Sequence, residues 1–371
     1  MNILILNWKD LKHPQVGGAE IIVYELAKRL VSMGHEVTWF CRIFKYGKPE
    51  EIINGIKVVR RGNLITMYLH APVYYWKLQK KPDVVVDISN TIYWQTPLWA
   101  WKSEKIAYLN QLAQEVFYYE YPILISRFGK LIEKLQYLVY LNTKFVCYAQ
   151  STKTDLISMG INNSKISVFS LGVDHDRYFP GKKSKTPLFI CVNRLVKMKR
   201  TDLAIRAMGE VCKNFPKARL VIVGYGYDRI RLEKLRDSLG LEDSVRFADE
   251  NILFFTKNSN DKKVSLMQQA WALVFPSVKE GWGMTVTESA ACGTPSIVTD
   301  VTGLRNSVLK NETGLVVSAN PTVEELSEAM ENILSDSNLR NRLSKNALKY
   351  AQKFTWDKSC QQFQKIITHT S

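Results

Sequence analysis

At 371 residues the chain is long enough for two domains, each burying a core of its own. Its 46% apolar and 23% charged residues exclude a disordered chain and a collagen-like repeat. The net charge of +16 draws nucleic acid, anionic lipid or phosphorylated small molecules to the surface without choosing among them, and no run of about 18 uncharged apolar residues is available to span a bilayer.

Short apolar runs alternate with amphipathic stretches from the first residues onward. Residues 2–6, 36–40, 83–86, 105–109, 145–148 and 166–169 read as strands, and 18–33 and 123–140 as helices. That alternation predicts βαβ units around a parallel sheet. The run at 3–6 ends at Asn7 and Lys9, too short for a signal peptide. Cys41, Cys147, Cys191, Cys212, Cys292 and Cys360 are scattered without a CxxC pair, so neither a disulfide framework nor a zinc knuckle is expected, and the compartment reads as reducing and cytoplasmic. Residues 171–183 are rich in Gly, Pro and charge and lack a period, which predicts a linker. A second alternating series follows, with strands at 188–192, 219–223, 272–275 and 296–298 and helices at 201–212, 228–239 and 286–292. Three closing helices are expected at 323–334, 339–354 and 356–367. Two doubly wound α/β halves place ligands at the carboxyl ends of their strands, and two such domains facing each other define a cleft.

Chemistry is therefore sought at strand-to-helix turns. After strand 272–275, Gly281 and Gly283 allow close backbone approach, and a helix opening at Met284 or Thr285 aims N–H groups and a partial positive charge at an anion. Glu280 and Glu288 flank that turn; carboxylates there suit hydrogen bonds from sugar hydroxyls, and a glutamate favoured by the helix dipole is the plainer alternative. Strand 188–192 leads into Arg194 and Lys199, cations suited to a leaving diphosphate without a bound metal, with Lys197 and Arg200 read as a solvated charge run. A third turn carries Gly17 and Gly18, where Gly18 opens a helix.

These turns, in this order, resemble the retaining glycosyltransferases of family 4, which have the GT-B fold of two Rossmann-like domains. The likeness lies in the Glu-x7-Glu of Glu280 and Glu288, the Arg-x4-Lys of Arg194 and Lys199, the Gly-Val-Asp linker with Phe179-Pro180, and the Gly-Gly-Ala-Glu loop at 17–20. The resemblance implies an acceptor-side domain over 1–175, completed by a C-terminal helix over 356–371, and a nucleotide-sugar domain over 176–355. It implies that Glu288 holds the ribose of a UDP- or GDP-sugar and that Glu280 contacts the donor sugar. Arg194, Lys199, the N–H groups of Gly283, Met284 and Thr285, and the Gly17-Gly18 loop would hold the diphosphate. It further implies a same-face reaction in which the departing phosphate oxygen takes the acceptor proton, with no cofactor and no metal. Asn110 and Gln111 stand where many relatives have a histidine, a change a sugar-hydroxyl contact survives and a protonatable role does not. The segment Phe247-Ala248-Asp249-Glu250-Asn251 and the lengthened stretch up to Val264 fall where relatives face the base.

Asp174-His175-Asp176 has the Asp-x-Asp form of a metal site but lies in the linker, and Gly224-Tyr225-Gly226 lacks a third glycine for a dinucleotide and is expected to line the nucleotide cleft. The first half carries 20 of the 26 Trp and Tyr residues, and residues 42–81 hold nine cations against Glu50 and Glu51. Basic charge interleaved with Tyr68, Tyr74, Tyr75 and Trp76 suits an anionic membrane surface, which points to a peripheral enzyme with a glycan or lipid-linked acceptor; a soluble enzyme acting on a small sugar or sugar phosphate is the alternative. Leu124, Phe128, Leu131, Leu135 and Leu138 form one helical stripe flanked by Arg127, Lys130 and Lys134; a membrane face and ordinary core packing both account for it. Single-stranded nucleic acid fits basic-aromatic segments too, but no RRM, KH or helix-turn-helix pattern accompanies them, so no nucleic-acid partner is expected.

Overall fold

The computed structural model describes residues 1–248 and 257–368, with side chains described from residue 262 in the second range. In chain order the first half contains β1 (Asn2–Leu6), α1 (Gly18–Ser32), β2 (Glu36–Cys41), β3 (Glu50–Ile53), β4 (Ile56–Arg60), α2 (Met67–Lys77), β5 (Val84–Ser89) and β6 (Glu104–Leu109). It continues with α3 (Val116–Glu120), α4 (Ile123–Gln136), β7 (Lys144–Cys147), α5 (Gln150–Ser158) and β8 (Ile166–Val168). The second half holds β9 (Leu188–Val192), α6 (Thr201–Asn214), β10 (Arg219–Val223), α7 (Arg229–Ser238), β11 (Val245–Phe247), α8 (Lys257–Gln269), β12 (Ala272–Phe275) and α9 (Met284–Ala291). Then come β13 (Ser296–Thr299), α10 (Leu304–Ser307), β14 (Gly314–Val317), α11 (Val323–Ser335), α12 (Ser337–Ala351) and α13 (Trp356–Thr368).

Two compact units result. The first comprises Met1–Gln114, Ile123–Gly172 and Trp356–Ser371; the second comprises Glu115–Pro122 and Val173–Thr355. Among the described residues the first sheet runs β3-β4-β2-β1-β5-β6-β7-β8, and the second β11-β10-β9-β12-β13-β14. Every pairing is parallel except β3 with β4. Parallel strands covered on both faces must be apolar throughout, and β9 and β12 are buried at every position. Helix α13 returns to the first unit, where the Phe363 ring meets Tyr108 edge-on with centroids 6.0 Å apart.

Three features depart from the expectations. The linker is packed rather than solvated: Leu171, Val173 and Tyr178 are buried, and Val173 bridges Thr355 beside the return crossing. The segment Glu115–Pro122, placed by sequence in the N-terminal domain, belongs to the second unit. Residues 42–81, read from charge and aromatics alone, contain a hairpin and a helix. Asn54 and Gly55, at φ of 48° and 80°, form its two-residue turn. Several cations of that stretch are engaged within the unit. Arg60 is fully buried on Asp10 and Glu51, Arg61 pairs with Glu50, and Lys81 caps α2 by donating to the carbonyls of Tyr75 and Trp76.

Helix α4 also settles which way its stripe faces. Ser126, Glu133 and Gln136 are its buried residues, while Leu124, Phe128, Leu131 and Leu135 are exposed. The Glu133 carboxylate accepts from the backbone N–H groups of Ala113 (2.6 Å) and Gln114 (2.8 Å). Gln136 accepts from the Tyr93 N–H and donates to the Thr91 carbonyl, both at 2.9 Å. The helix is held to its unit by polar side chains, with its apolar face outward.

Candidate active site

The carboxyl ends of β9 and β12 lie side by side in the second sheet, so the loops that follow them converge. The β9 loop turns sharply: Arg200, at φ 48°, leaves the strand direction and opens α6. Its guanidinium donates to the carbonyls of Pro276 (2.7 Å), Ser277 (3.1 Å) and Ala319 (2.8 Å), tying the two loops together. Arg200 is thus a structural clamp, not part of a solvated charge run. Within this frame Lys199 is buried and its ammonium donates to a Glu280 carboxylate oxygen. Burial pulls the Lys199 pKa down, Glu280 pushes it back up, and the nearby Arg194 charge lowers it again; the net direction is downward. Arg194 itself is exposed beside this pair.

The α9 end is built as the glycines require. Gly283 caps the helix at φ 90°, a left-handed conformation that other residues adopt at a cost. The first N–H groups of α9, at Met284 and Thr285, have no intrahelical carbonyl to bond and form an anion-binding end. Glu288, about one turn in, is buried and accepts from Lys263 on α8 at 2.7 Å; the same ammonium donates to the Tyr178 hydroxyl at 3.1 Å. Burial disfavours the Lys263 charge, but Glu288 and Tyr178 outweigh it and the pKa rises. Two carboxylate–lysine pairs therefore bracket the start of α9 along the chain, Glu280 before it and Glu288 within its second turn.

Gly303 explains the placement of Glu280. Its φ is 84°, and a Cβ there would stand 2.2 Å from the Glu280 carbonyl oxygen, whose own N–H bonds the Thr302 carbonyl at 3.2 Å. Gly303→Ala is expected to destabilise the chain by about 1–3 kcal/mol through strain and to displace the Glu280 loop. Urea unfolding and the KM for donor check both parts; an unchanged KM with lowered stability would separate them.

Residues 173–350 match the family model described as glycosyl transferases group 1, and residues 16–177 match that of glycosyltransferase family 4. The chain is a family 4 glycosyltransferase. The enzyme is 27% identical to an uncharacterized glycosyltransferase of Methanocaldococcus jannaschii, over 96% of this chain and 95% of that protein. It is 29% identical to a D-inositol 3-phosphate glycosyltransferase of Corynebacterium aurimucosum, over 59% of this chain. The match spans 54% of that curated relative, about half its length. Among solved structures, it is similar to sucrose-phosphate synthase from Thermosynechococcus elongatus, with a TM-score of 0.81 and 20% identity over 99% and 98% of the two chains. It is also similar to Anabaena HepE, crystallised with UDP-glucose, with a TM-score of 0.77 and 16% identity over the whole of both chains. At these identities the likeness carries the fold, which is GT-B.

The remaining expected residues of the enzyme lie in the first unit. Gly17 precedes α1, and its N–H is taken by the buried Glu20 carboxylate at 2.7 Å, which also pairs with Lys9 at 3.4 Å. Gly18, the first residue of α1, opens the helix as expected. Asn110 follows β6; its amide donates to the Ser89 carbonyl at 3.0 Å and its oxygen accepts from the Tyr148 hydroxyl. Gln111 is half-buried next to it. Asn7 and Asn90, at the ends of the adjoining strands β1 and β5, bond each other, so three asparagines mark this sheet edge.

Other expectations shift. Gly224 and Gly226 seat the β9 loop: a Cβ at either would stand 2.0–2.1 Å from the carbonyl oxygen of Asn193 or Leu195. His175 bonds the Phe354 carbonyl at 2.9 Å beside the return crossing. Phe247 ends β11, whereas Asp249, Glu250 and Asn251 lie outside the described residues. Sequence reasoning missed Lys263, whose partner is 25 positions away, and Glu120, which accepts from the Met198 N–H at 2.8 Å and from the Tyr227 hydroxyl. No local pattern announces either.

Proposed function

We propose that the enzyme moves a sugar, with retention, from a UDP- or GDP-sugar to a lipid-linked saccharide, working at the cytoplasmic face of a membrane as a peripheral protein. The observation that carries the donor half is the α9 end with its two flanking carboxylate–lysine pairs. A diphosphate at that end meets free N–H groups and the cations Lys199 and Arg194, which serve in place of a divalent metal. Glu280 and Glu288 are then left to accept from hydroxyls of the donor sugar and the ribose. As the bond from the anomeric carbon to the phosphate oxygen breaks, Lys199 shifts its hydrogen bonding from Glu280 toward that oxygen. The acceptor oxygen forms the new bond on the same face, and its proton passes to the departing phosphate, as the family resemblance implies. Nucleotide-bound HepE supports a uridine donor, and six free thiols, five of them buried, fit a reducing compartment. A phosphorylated polyol acceptor is the second reading, favoured by the relatives named for D-inositol 3-phosphate.

Calorimetric titration with UDP, GDP and their sugars, in the presence of a chelator, tests the donor half. One nucleotide is expected to bind, with affinity falling about tenfold to a hundredfold in Glu288→Gln, which keeps the shape while removing the charge that ribose hydroxyls and Lys263 share. If neither nucleotide binds the wild type, the proposal fails. Transfer assays with a lipid-linked saccharide against inositol phosphate decide the acceptor.

A further inference from the structure

The outward apolar face of α4 needs an occupant. Along the helix, at about 100° per residue, Leu124, Phe128, Leu131 and Leu135 fall within one narrow arc, and Leu138 just beyond the helix continues it. These five side chains are 51–76% exposed. A helix of a globular protein ordinarily turns such a stripe inward. Here the inward side is polar and its hydrogen bonds are made within the unit, by Glu133 to Ala113 and Gln114 and by Gln136 to Thr91 and Tyr93. The outward stripe is therefore a built feature, since burying it would break those bonds.

Helix α2 extends the same side of the unit. The register pairs Leu4 with Val85, Leu6 with Asp87, Asp87 with Ala107 and Ala107 with Phe145, so these residues share one face of the sheet. Met67, Ala71 and Tyr75 of α2 pack into a core with Leu4, Leu6 and Val85, and Tyr137 and Tyr140, directly after α4, pack with Ala107 and Phe145. Both helices thus cover that face. The solvent side of α2 carries Leu69, Val73 and Trp76, spaced by four and three residues and 44–72% exposed. Two apolar stripes lie outward on one side of one sheet.

Charge selects the occupant. Arg127, Lys130 and Lys134 line one border of the α4 stripe, with Lys77 at the end of α2. An isologous contact with a second copy would set these cations near their own copies. An anionic lipid surface answers both features at once, taking apolar side chains among the acyl chains and cations among the headgroups. We propose that α4, assisted by α2, is the element by which the enzyme inserts into the interface of an anionic bilayer. The inference rests on the peripheral attachment proposed above and assigns it chiefly to the inside-out helix α4, with only the α2 part of the basic stretch 42–81 assisting.

The test uses full-length protein and vesicles of phosphatidylglycerol with phosphatidylcholine, read by co-sedimentation. Leu131→Glu with Leu135→Glu is expected to weaken binding by about tenfold or more while nucleotide titration stays as in the wild type. In a second variant, Phe128→Trp, the added fluorescence is expected to be quenched by lipids brominated along the acyl chain, which headgroup adsorption alone does not produce. If the wild type binds vesicles and the double glutamate variant binds equally well, the assignment to α4 is overturned and attachment resides elsewhere. If the wild type binds no vesicles, this inference and the peripheral attachment fall together, while the donor reading is untouched. If the double variant instead converts a dimer to a monomer by light scattering, the face belongs to a second copy and the inference is overturned.

Discussion

Lys199→Met is expected to lower kcat for sugar transfer by about 10²–10³-fold, the loss that follows removal of one preorganised group from developing negative charge. Lys199 is the buried cation of the candidate site, while Arg194 beside it is exposed. A charge held out of water acts more strongly on a leaving diphosphate than one at the surface. Its partner complicates the single substitution, because Lys199→Met also leaves Glu280 buried without a counter-ion. The double variant Lys199→Met with Glu280→Gln removes that penalty. Stability is expected to recover in the double variant and kcat is not. Urea unfolding and steady-state transfer kinetics on the three proteins make the comparison. Recovery of kcat together with stability would show that Lys199 only holds the fold.

Arg60→Ala is expected to cost about 3–5 kcal/mol of stability, the usual consequence of breaking a buried ion pair from one side. The guanidinium donates in bidentate fashion to Asp10, Nε to Oδ2 at 2.6 Å and Nη2 to Oδ1 at 2.8 Å. Nη1 reaches Glu51 at 2.6 Å and the Lys48 carbonyl at 2.8 Å. Asp10 is equally buried, so the substitution strands a carboxylate that also accepts from the Cys41 thiol at 3.3 Å. The pair pins the loop after β1 to the hairpin strand β4. Burial raises the Asp10 pKa, but the bonds from Arg60 and the Lys12 N–H together with the Arg60 charge outweigh it, leaving it below 3.8. A depressed carboxylate stabilises fully above its unfolded value and loses that contribution as pH falls through its folded value. The stability gap between wild type and Asp10→Asn is therefore expected to be widest near neutrality and to narrow below about pH 3.8. Denaturant titrations across that range check it; a constant gap would remove Asp10 ionisation as the cause.

Much of the architecture was legible because its signals are local. Strand runs 188–192 and 219–223 match β9 and β10 residue for residue, since a strand covered on both faces must be apolar along its buried length, as β9 is at every position and β10 is after Arg219. The turn carrying Gly281, Gly283 and Met284 announced a helix end for the same reason, because left-handed backbone and free N–H groups are written in a few adjacent residues. The β3–β4 hairpin was legible through Asn54-Gly55 as well, but the charge around it drew the reading toward a surface segment.

By itself the sequence determined the doubly wound halves, most of their central strands in order, the family, and the residue types gathered at the strand ends. Tertiary structure alone decided the rest. Lys263 meets Glu288, Arg60 meets Asp10 and Lys199 meets Glu280 across 25, 50 and 81 positions, separations at which no periodicity survives. It decided that Gly224 and Gly226 accommodate a neighbouring loop, and that residues 115–122 belong with the second unit. Above all it decided the direction of α4. An amphipathic pattern defines two opposite faces of a helix, and only the partners available to each face determine which one turns inward; here Ala113, Gln114, Thr91 and Tyr93 offered hydrogen bonds to the polar side, and the apolar side was left outward.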